Sequence, residues 1–251
     1  MVSRSQPTRA RSPEAKRARE AAILAAASRL ATANGIRSVT LTDIAAEVGM
    51  HKSAMLRYFE TREEIFLRLA SAGWVEWSRS VREQLDDTAR TDARAHTTDD
   101  PSNTTDDPHT VARLLAESLV ARPLFCDLLA HTPLNLERNV SLDSVRSFKL
   151  TAIAEVEAVG EALRRVADLS PEQAGNVVAT ATAMAGALWQ MAAPGTELRR
   201  LYETDPDLAH AVVDVAPRLT DILNAMLRGY GADPVQGRVA PATGRRPGVS
   251  G

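Results

Sequence analysis

Apolar residues recur every three to four positions through long segments of this chain, and strict alternation is absent. That period puts them on one face of an α-helix, so the sequence predicts an all-α protein. Over residues 13–34, Ile23, Ala26, Ala27 and Leu30 form one stripe, and Gly35 follows where a helix can close on a left-handed residue. Thr40 and Asp43 have the spacing of a capping box, and Ile44, Ala45 and Val48 give the next short helix its apolar side. Gly49 marks a sharp turn. A second short helix, from about 51 to 59, has Met50, Met55 and Phe59 as its inner side and leaves Lys52, Ser53 and Arg57 outward. Two short helices across a tight turn, the second polar and basic outside, are the helix-turn-helix arrangement that lays a recognition helix in the DNA major groove.

Further helices are predicted behind this unit. One from about 62 to 85 carries Ile65, Phe66 and Leu69 toward the first helices, then Trp74, Trp77 and Val81 toward a second domain. Others fall near 109–121 and 124–131, the latter stopped by Pro133. After Ser141, the positions Val145, Phe148, Ala152, Val156, Val159, Leu163 and Val166 step by three and four. Ser170-Pro171-Glu172-Gln173 opens a helix to about 191, with Ser as N-cap, Pro at N1 and Gln at N3. Ala179, Ala183 and Ala187 share one of its faces. A short helix near 197–203 precedes the last one, which ends near Gly229 with Leu219, Ile222, Leu223, Met226 and Leu227 as its apolar side. Pro217 either kinks that helix or sits in its first turn, where no backbone N–H is needed. The domains expected are therefore a basic arm over 1–12, a helix-turn-helix domain over 13–62, and a helical body over 63–230. A flexible acidic loop at about 86–108 interrupts the body, and a Gly- and Pro-rich tail covers 231–251.

Charge divides the chain. Residues 1–62 hold 11 Lys/Arg against 5 Asp/Glu, and the remainder holds 19 against 27, so a total of −2 hides a basic head on an acidic body. Duplex DNA attracts the one and repels the other. The arm is either a minor-groove contact or a solvated tail. No apolar run reaches the roughly 20 residues of a membrane span, and the first residues lack the apolar core of a signal peptide. With Cys126 the one cysteine, no intramolecular disulfide can form, and a cytoplasmic location is expected. Cys126 and His131 share a helix with no second pair nearby, so neither a metal nor a cofactor is expected. No phosphate loop, nucleophile motif or zinc signature points to an enzyme.

The segment from about 18 to 69 resembles the N-terminal domain of the TetR family of bacterial transcriptional regulators. The resemblance rests on Asn34-Gly35, the run Thr40-Leu41-Thr42-Asp43-Ile44-Ala45, Val48-Gly49, Tyr58-Phe59 and the charged step from Thr61 to Ile65. His51 stands where the family usually has Ser, and Met55-Leu56 where it usually has Leu-Tyr. That Tyr contacts the DNA backbone in the family, and Arg57 or Tyr58 is the substitute available here. By position, the resemblance implies base-edge contacts for Thr42, Lys52, Ser53 and Ala54, phosphate contacts for Tyr58 and Arg62, and a cap with phosphate contact for Thr40.

For the body, the resemblance implies a homodimer joined by a four-helix bundle of the last two long helices. Ala179, Ala183, Ala187, Leu219, Leu223 and Met226 are the interface candidates; the alternative is that both stripes are intramolecular core. It also implies a small-molecule effector, with Trp74, Trp77, Phe125, Phe148, Met184 and Trp189 as candidate lining, although aromatics at helical spacing are more often plain core. The function expected is a dimeric repressor that a ligand releases from palindromic double-stranded DNA. A ligand-independent regulator, a protein-contact module and, more remotely, a helical-bundle enzyme are the alternatives.

Overall fold

The computed structural model describes residues 13–95 and 107–232. The basic arm over 1–12, residues 96–106 of the acidic loop and the tail from 233 onward lie outside the described residues. Among the described residues ten α-helices follow in order: α1 Pro13–Asn34, α2 Leu41–Glu47, α3 Lys52–Met55, α4 Arg62–Ala95, α5 Pro108–Val120, α6 Pro123–His131, α7 Leu142–Leu163, α8 Pro171–Ala192, α9 Glu197–Thr204 and α10 Val215–Ala232. There is no strand among the described residues, and none of their helices is long and apolar enough to cross a membrane.

The expected helix ends form where local chemistry sets them. Gly35 adopts φ 76°, and its N–H closes α1 on the Ala31 carbonyl at 2.8 Å. At α8, Ser170 Oγ accepts from the Gln173 N–H at 3.1 Å, and the Gln173 side chain returns the bond to the Ser170 N–H at 2.8 Å. Pro217 sits in the first turn of α10, ahead of the first bonded amide, Arg218 to the Asp214 carbonyl.

Among the helices of the body, two boundaries differ from the sequence reading. α4 runs to Ala95, ten residues beyond its expected end and into the stretch read as a loop. Leu85 is fully buried, Asp86 accepts from Arg165, in the turn after α7, at 2.6 and 3.2 Å, and Asp87 pairs with Arg90 one turn on. No Gly or Pro interrupts the chain before Pro101, so nothing breaks the helix where its apolar period fades. α7, conversely, stops at Leu163, and Val166 is buried from the turn that follows.

α4 is the spine. Its start joins the head of α1, α2 and α3, and beyond that it lies along α7 and crosses α5 and α6. Arg122, after α5, braces it with a bidentate pair to Glu76 at 2.7 and 2.8 Å. α8 packs against α6, α7 and α10, while α10 lies along α5. The α6–α8 crossing is close: a Cβ on Gly186 would come within 2.8 Å of the Ala130 nitrogen.

Candidate DNA-binding interface and the body behind it

Thr40 Oγ accepts from the Asp43 N–H at 3.2 Å, and Asp43 Oδ2 accepts from the Thr40 N–H at 2.8 Å and its hydroxyl at 2.7 Å. The Thr40 hydroxyl bond, then the backbone one, hold the Asp43 carboxyl below its ordinary range. Ile44 and Ala45 turn α2 inward and leave Thr42 exposed. Gly49, at φ 63°, reverses the chain, and the Met50 N–H reaches back to the Ala45 carbonyl at 2.8 Å. α3 then presents Lys52 and Ser53 outward with Ala54 half-buried, while Met55 and Phe59 enter the core and Met50 packs partly against it.

α3 is shorter than the 51–59 helix expected. His51 stands at its N-cap without a side-chain bond, and past Met55 the chain tightens, with the Arg57 N–H on Ala54 and the Tyr58 N–H on Met55. The tightened turn leaves Arg57 exposed and Tyr58 half-buried against the core. It also exposes Leu56 by 52 %, a residue to which the sequence reading gave no role. Lys52 and Arg57 have no ion-pair partner among the described residues.

Arg62, expected at phosphate, is engaged within the protein. Its Nε donates to the Val39 carbonyl, Nη2 to the Ile36 carbonyl, and Nη1 to Glu63 at 2.9 Å, while the guanidinium lies 4.7 Å from the Phe66 ring centre. Nε and Nη2 are thus bound to the connection that links α1 to α2, and Nη1 to the neighbouring residue of α4. Sequence position shows a cation at a helix start; it does not show the carbonyls that the turn aims at it.

The six candidate ligand-lining residues do not converge. Trp74, Trp77 and Phe125 form a closed aromatic cluster, with ring centres 5.6 to 6.1 Å apart. Trp77 Nε1 is satisfied by Ser118 Oγ at 2.9 Å, and a Cβ on Gly73 would strike the Phe125 ring at 2.5 Å. This cluster is core, as large aromatics at helical spacing usually are. Phe148 instead borders a cleft of about 350 Å³ between the root of α4 and the start of α7, with Glu60, Glu64, Arg68, Ser144 and Ser147. Trp189 borders a second, of about 480 Å³, with Arg199, Pro194 and Val213. Met184 is partly buried and borders neither of these clefts.

The dimer candidates also divide. Ala179, Ala183 and Ala187 are exposed on α8. Leu219 and Leu223 are fully buried inside the single chain, because α10 lies along α5 and crosses α8, and Met226 packs partly on the same core. For Leu219 and Leu223 the intramolecular alternative is the correct one.

Cys126 is buried, and its Sγ donates to the Leu119 carbonyl at 3.2 Å. Burial, then the neighbouring Asp127 charge, push its thiol up to about 12, which leaves it inert. Asp127 itself, on α6, accepts from the backbone of the head, a contact over 91 residues that no local pattern announces.

Residues 23–69 match the family model for bacterial regulatory proteins of the tetR family. Residues 72–234 match the model for the tetracyclin repressor-like C-terminal domain. No curated protein matches the chain. Among solved structures, it is similar to the fatty acid degradation regulator FadR from Bacillus halodurans, at 13% identity over 83% of this chain and 96% of that one, with a TM-score of 0.48. FadR from Bacillus subtilis, in complex with stearoyl-CoA, gives 13%, 82%, 98% and 0.48 in the same order. A putative TetR-family regulator from Mesorhizobium loti gives 12%, 86%, 96% and 0.48. With one model spanning the reading head and the other the helical body behind it, the chain belongs to the TetR family of bacterial transcriptional regulators.

Proposed function

We propose that this regulator binds a two-fold-related DNA site as a homodimer and is released from it by a small molecule. The observation that carries the reading is a pair of exposed cations without an ion-pair partner among the described residues, Lys52 on α3 and Arg57 in the turn after it, on a segment whose other side is locked into the core by Met55 and Phe59. Lys52 can donate to guanine O6 and N7, and Thr42 and Ser53 to base edges or phosphate. Ala54 and the exposed Leu56 suit thymine methyl groups, while Arg57, Tyr58 and Thr40 suit the phosphates on either side. Arg62 belongs to the frame that holds the reading helix.

The dimer part rests on the outer face of α8, where Ala179, Ala183 and Ala187 lie in a stretch with no charged residue between Glu172 and Glu197. The effector part rests on the cleft at Phe148, whose walls are the root of α4 and the start of α7. A ligand wedged there acts directly on the helix that carries the head, and it releases DNA only if it binds the spread arrangement more tightly.

Selection of binding sites from fragmented genomic DNA tests the reading. Two inverted half-sites should emerge, and Lys52→Ala should weaken binding by about 1–3 kcal/mol while relaxing the preference at one base position in each half. Equal weakening on every sequence would make Lys52 a phosphate contact, and no enrichment at all would remove the DNA-binding reading.

A further inference from the structure

The turn between α1 and α2, Ile36–Ser38, is held by two charged side chains on opposite sides of one residue. The Ile36 N–H donates to Asp127 Oδ2 of α6 at 3.0 Å, and the Ile36 carbonyl accepts from Arg62 at the start of α4. Thr40, which caps α2, follows two residues beyond the turn, so whatever fixes Ile36 fixes the entry of the helix-turn-helix. Hydrogen bonds to ionised partners are the strong ones, and this residue has one on each side.

Asp127 is also held from the other direction. Its Oδ1 accepts from Gln190 Nε2 of α8 at 2.8 Å and lies 3.2 Å from His131 Nδ1, one turn along α6. That hydrogen bond is the one the Gln190 side chain makes among the described residues, and α8 is the helix whose outer face carries the small-residue stripe. One carboxylate therefore touches the reading head with one oxygen and the body's α8 with the other. Gly186, one turn before Gln190, keeps α8 against the backbone of α6 at Ala130, so α6 and α8 approach without slack on this side of the joint.

We infer that Asp127 is the positioning residue that sets the angle of the reading head on the body, and that displacement of α8 or α6 reaches α2 through it. The inference shares with the proposed function only the premise that the head reads DNA, and its first test does not need that premise. In the full-length chain, hydrogen exchange at the Ile36 amide and the following turn should quicken about tenfold or more in Asp127→Ala, as loss of a hydrogen bond to a charged acceptor gives. Asp127→Asn, which keeps one acceptor, should fall between Asp127→Ala and the wild type. Gln190→Ala, which removes no head contact, should also quicken exchange at Ile36, and should add nothing in the Asp127→Ala background.

Ser118→Ala, which strands the Trp77 indole N–H elsewhere in the body, is the control for general destabilisation. Unchanged exchange at Ile36 in Asp127→Ala or Gln190→Ala overturns the inference, as does equal quickening in Ser118→Ala. The second arm uses DNA: in a site selection with variable spacers, the wild type should choose one half-site spacing, and Asp127→Ala should accept several with the half-site sequence unchanged. If the wild type selects no DNA, the proposed function falls and the exchange result still decides the role of Asp127. If Asp127→Ala keeps a single spacing on DNA that the wild type selects, the role of Asp127 falls while the proposed function stands.

Discussion

His131 Nδ1 lies 2.9 Å from the carbonyl oxygen of Asp127 and 3.2 Å from its Oδ1. Both neighbours are acceptors, so Nδ1 carries the proton in either charge state of the ring. The bond to Asp127 raises the imidazole above its ordinary 6.5, against burial and the charge of Arg37. Burial pushes the Asp127 carboxyl up, but the bonds from His131, the Ile36 N–H and Gln190 outweigh it and leave the group below its ordinary 3.8. The stabilisation from the raised histidine is complete below pH 6.5 and is lost as pH climbs through the raised value. The part due to the lowered carboxylate is complete above pH 3.8 and is lost as pH falls through the lowered value. Urea unfolding should therefore find His131→Asn destabilised by about 1.5–3 kcal/mol near pH 5.5, the range for a hydrogen bond to a charged group, and by clearly less near pH 8.5. An equal loss at both values would show that the ring acts by packing alone.

Within single elements, α8 allows the sharpest comparison, because two of its glycines meet opposite surroundings. A methyl at Gly186 would press on the Ala130 backbone at 2.8 Å, whereas one at Gly175 meets nothing within 4 Å. Gly186→Ala should destabilise by about 1–3 kcal/mol through overpacking. Gly175→Ala should stabilise by about 0.8–1.0 kcal/mol, the helix-propensity difference between the two residues. Thermal melts of the two variants should move in opposite directions, and a stabilised Gly186→Ala would mean that α6 and α8 part easily.

The same helix shows what the sequence made legible. Its Ser170-Pro171-Glu172-Gln173 start, like the Thr40–Asp43 box and the Gly35 and Gly49 turns, is written in residues within a turn of one another, so local chemistry gives it away. The helix-turn-helix was legible for that reason. The inward turn of Arg62, the contact that Asp86 makes on α4 and the burial of Leu219 and Leu223 depend on partners far along the chain. An apolar stripe says that one face is covered; it does not say whether α5 or a second subunit covers it. The joint at Asp127 was invisible for the same reason, since an aspartate between Cys126 and Leu128 reads as ordinary helix surface.

At the scale of the whole molecule, the inner and outer faces of the α8–α10 pair separate two kinds of failure. Ala183 is exposed on the outer face and Leu223 is fully buried on the inner one. A glutamate at either position introduces one negative charge, and the surroundings decide what that charge does. Leu223→Glu leaves it unpaired in the subunit core, at a cost of about 3–5 kcal/mol, and the chain should lose helical signal and solubility before any question of assembly arises. Ala183→Glu remains solvated in a single subunit, so the fold should survive with an unchanged melting profile at low concentration. In a two-fold interface the same residue meets its own copy's surroundings, and two carboxylates enter one dry contact. Sedimentation at micromolar concentration should show wild-type dimers and Ala183→Glu monomers of equal helicity. Each monomer then reads one half-site. Because a second half-site doubles the specific contacts, operator affinity should fall to that of half-site DNA while the base preference within each half persists. A dimer that survives Ala183→Glu would place the interface on another face, and a wild type that sediments as a monomer would remove the paired-site reading together with its two-fold geometry.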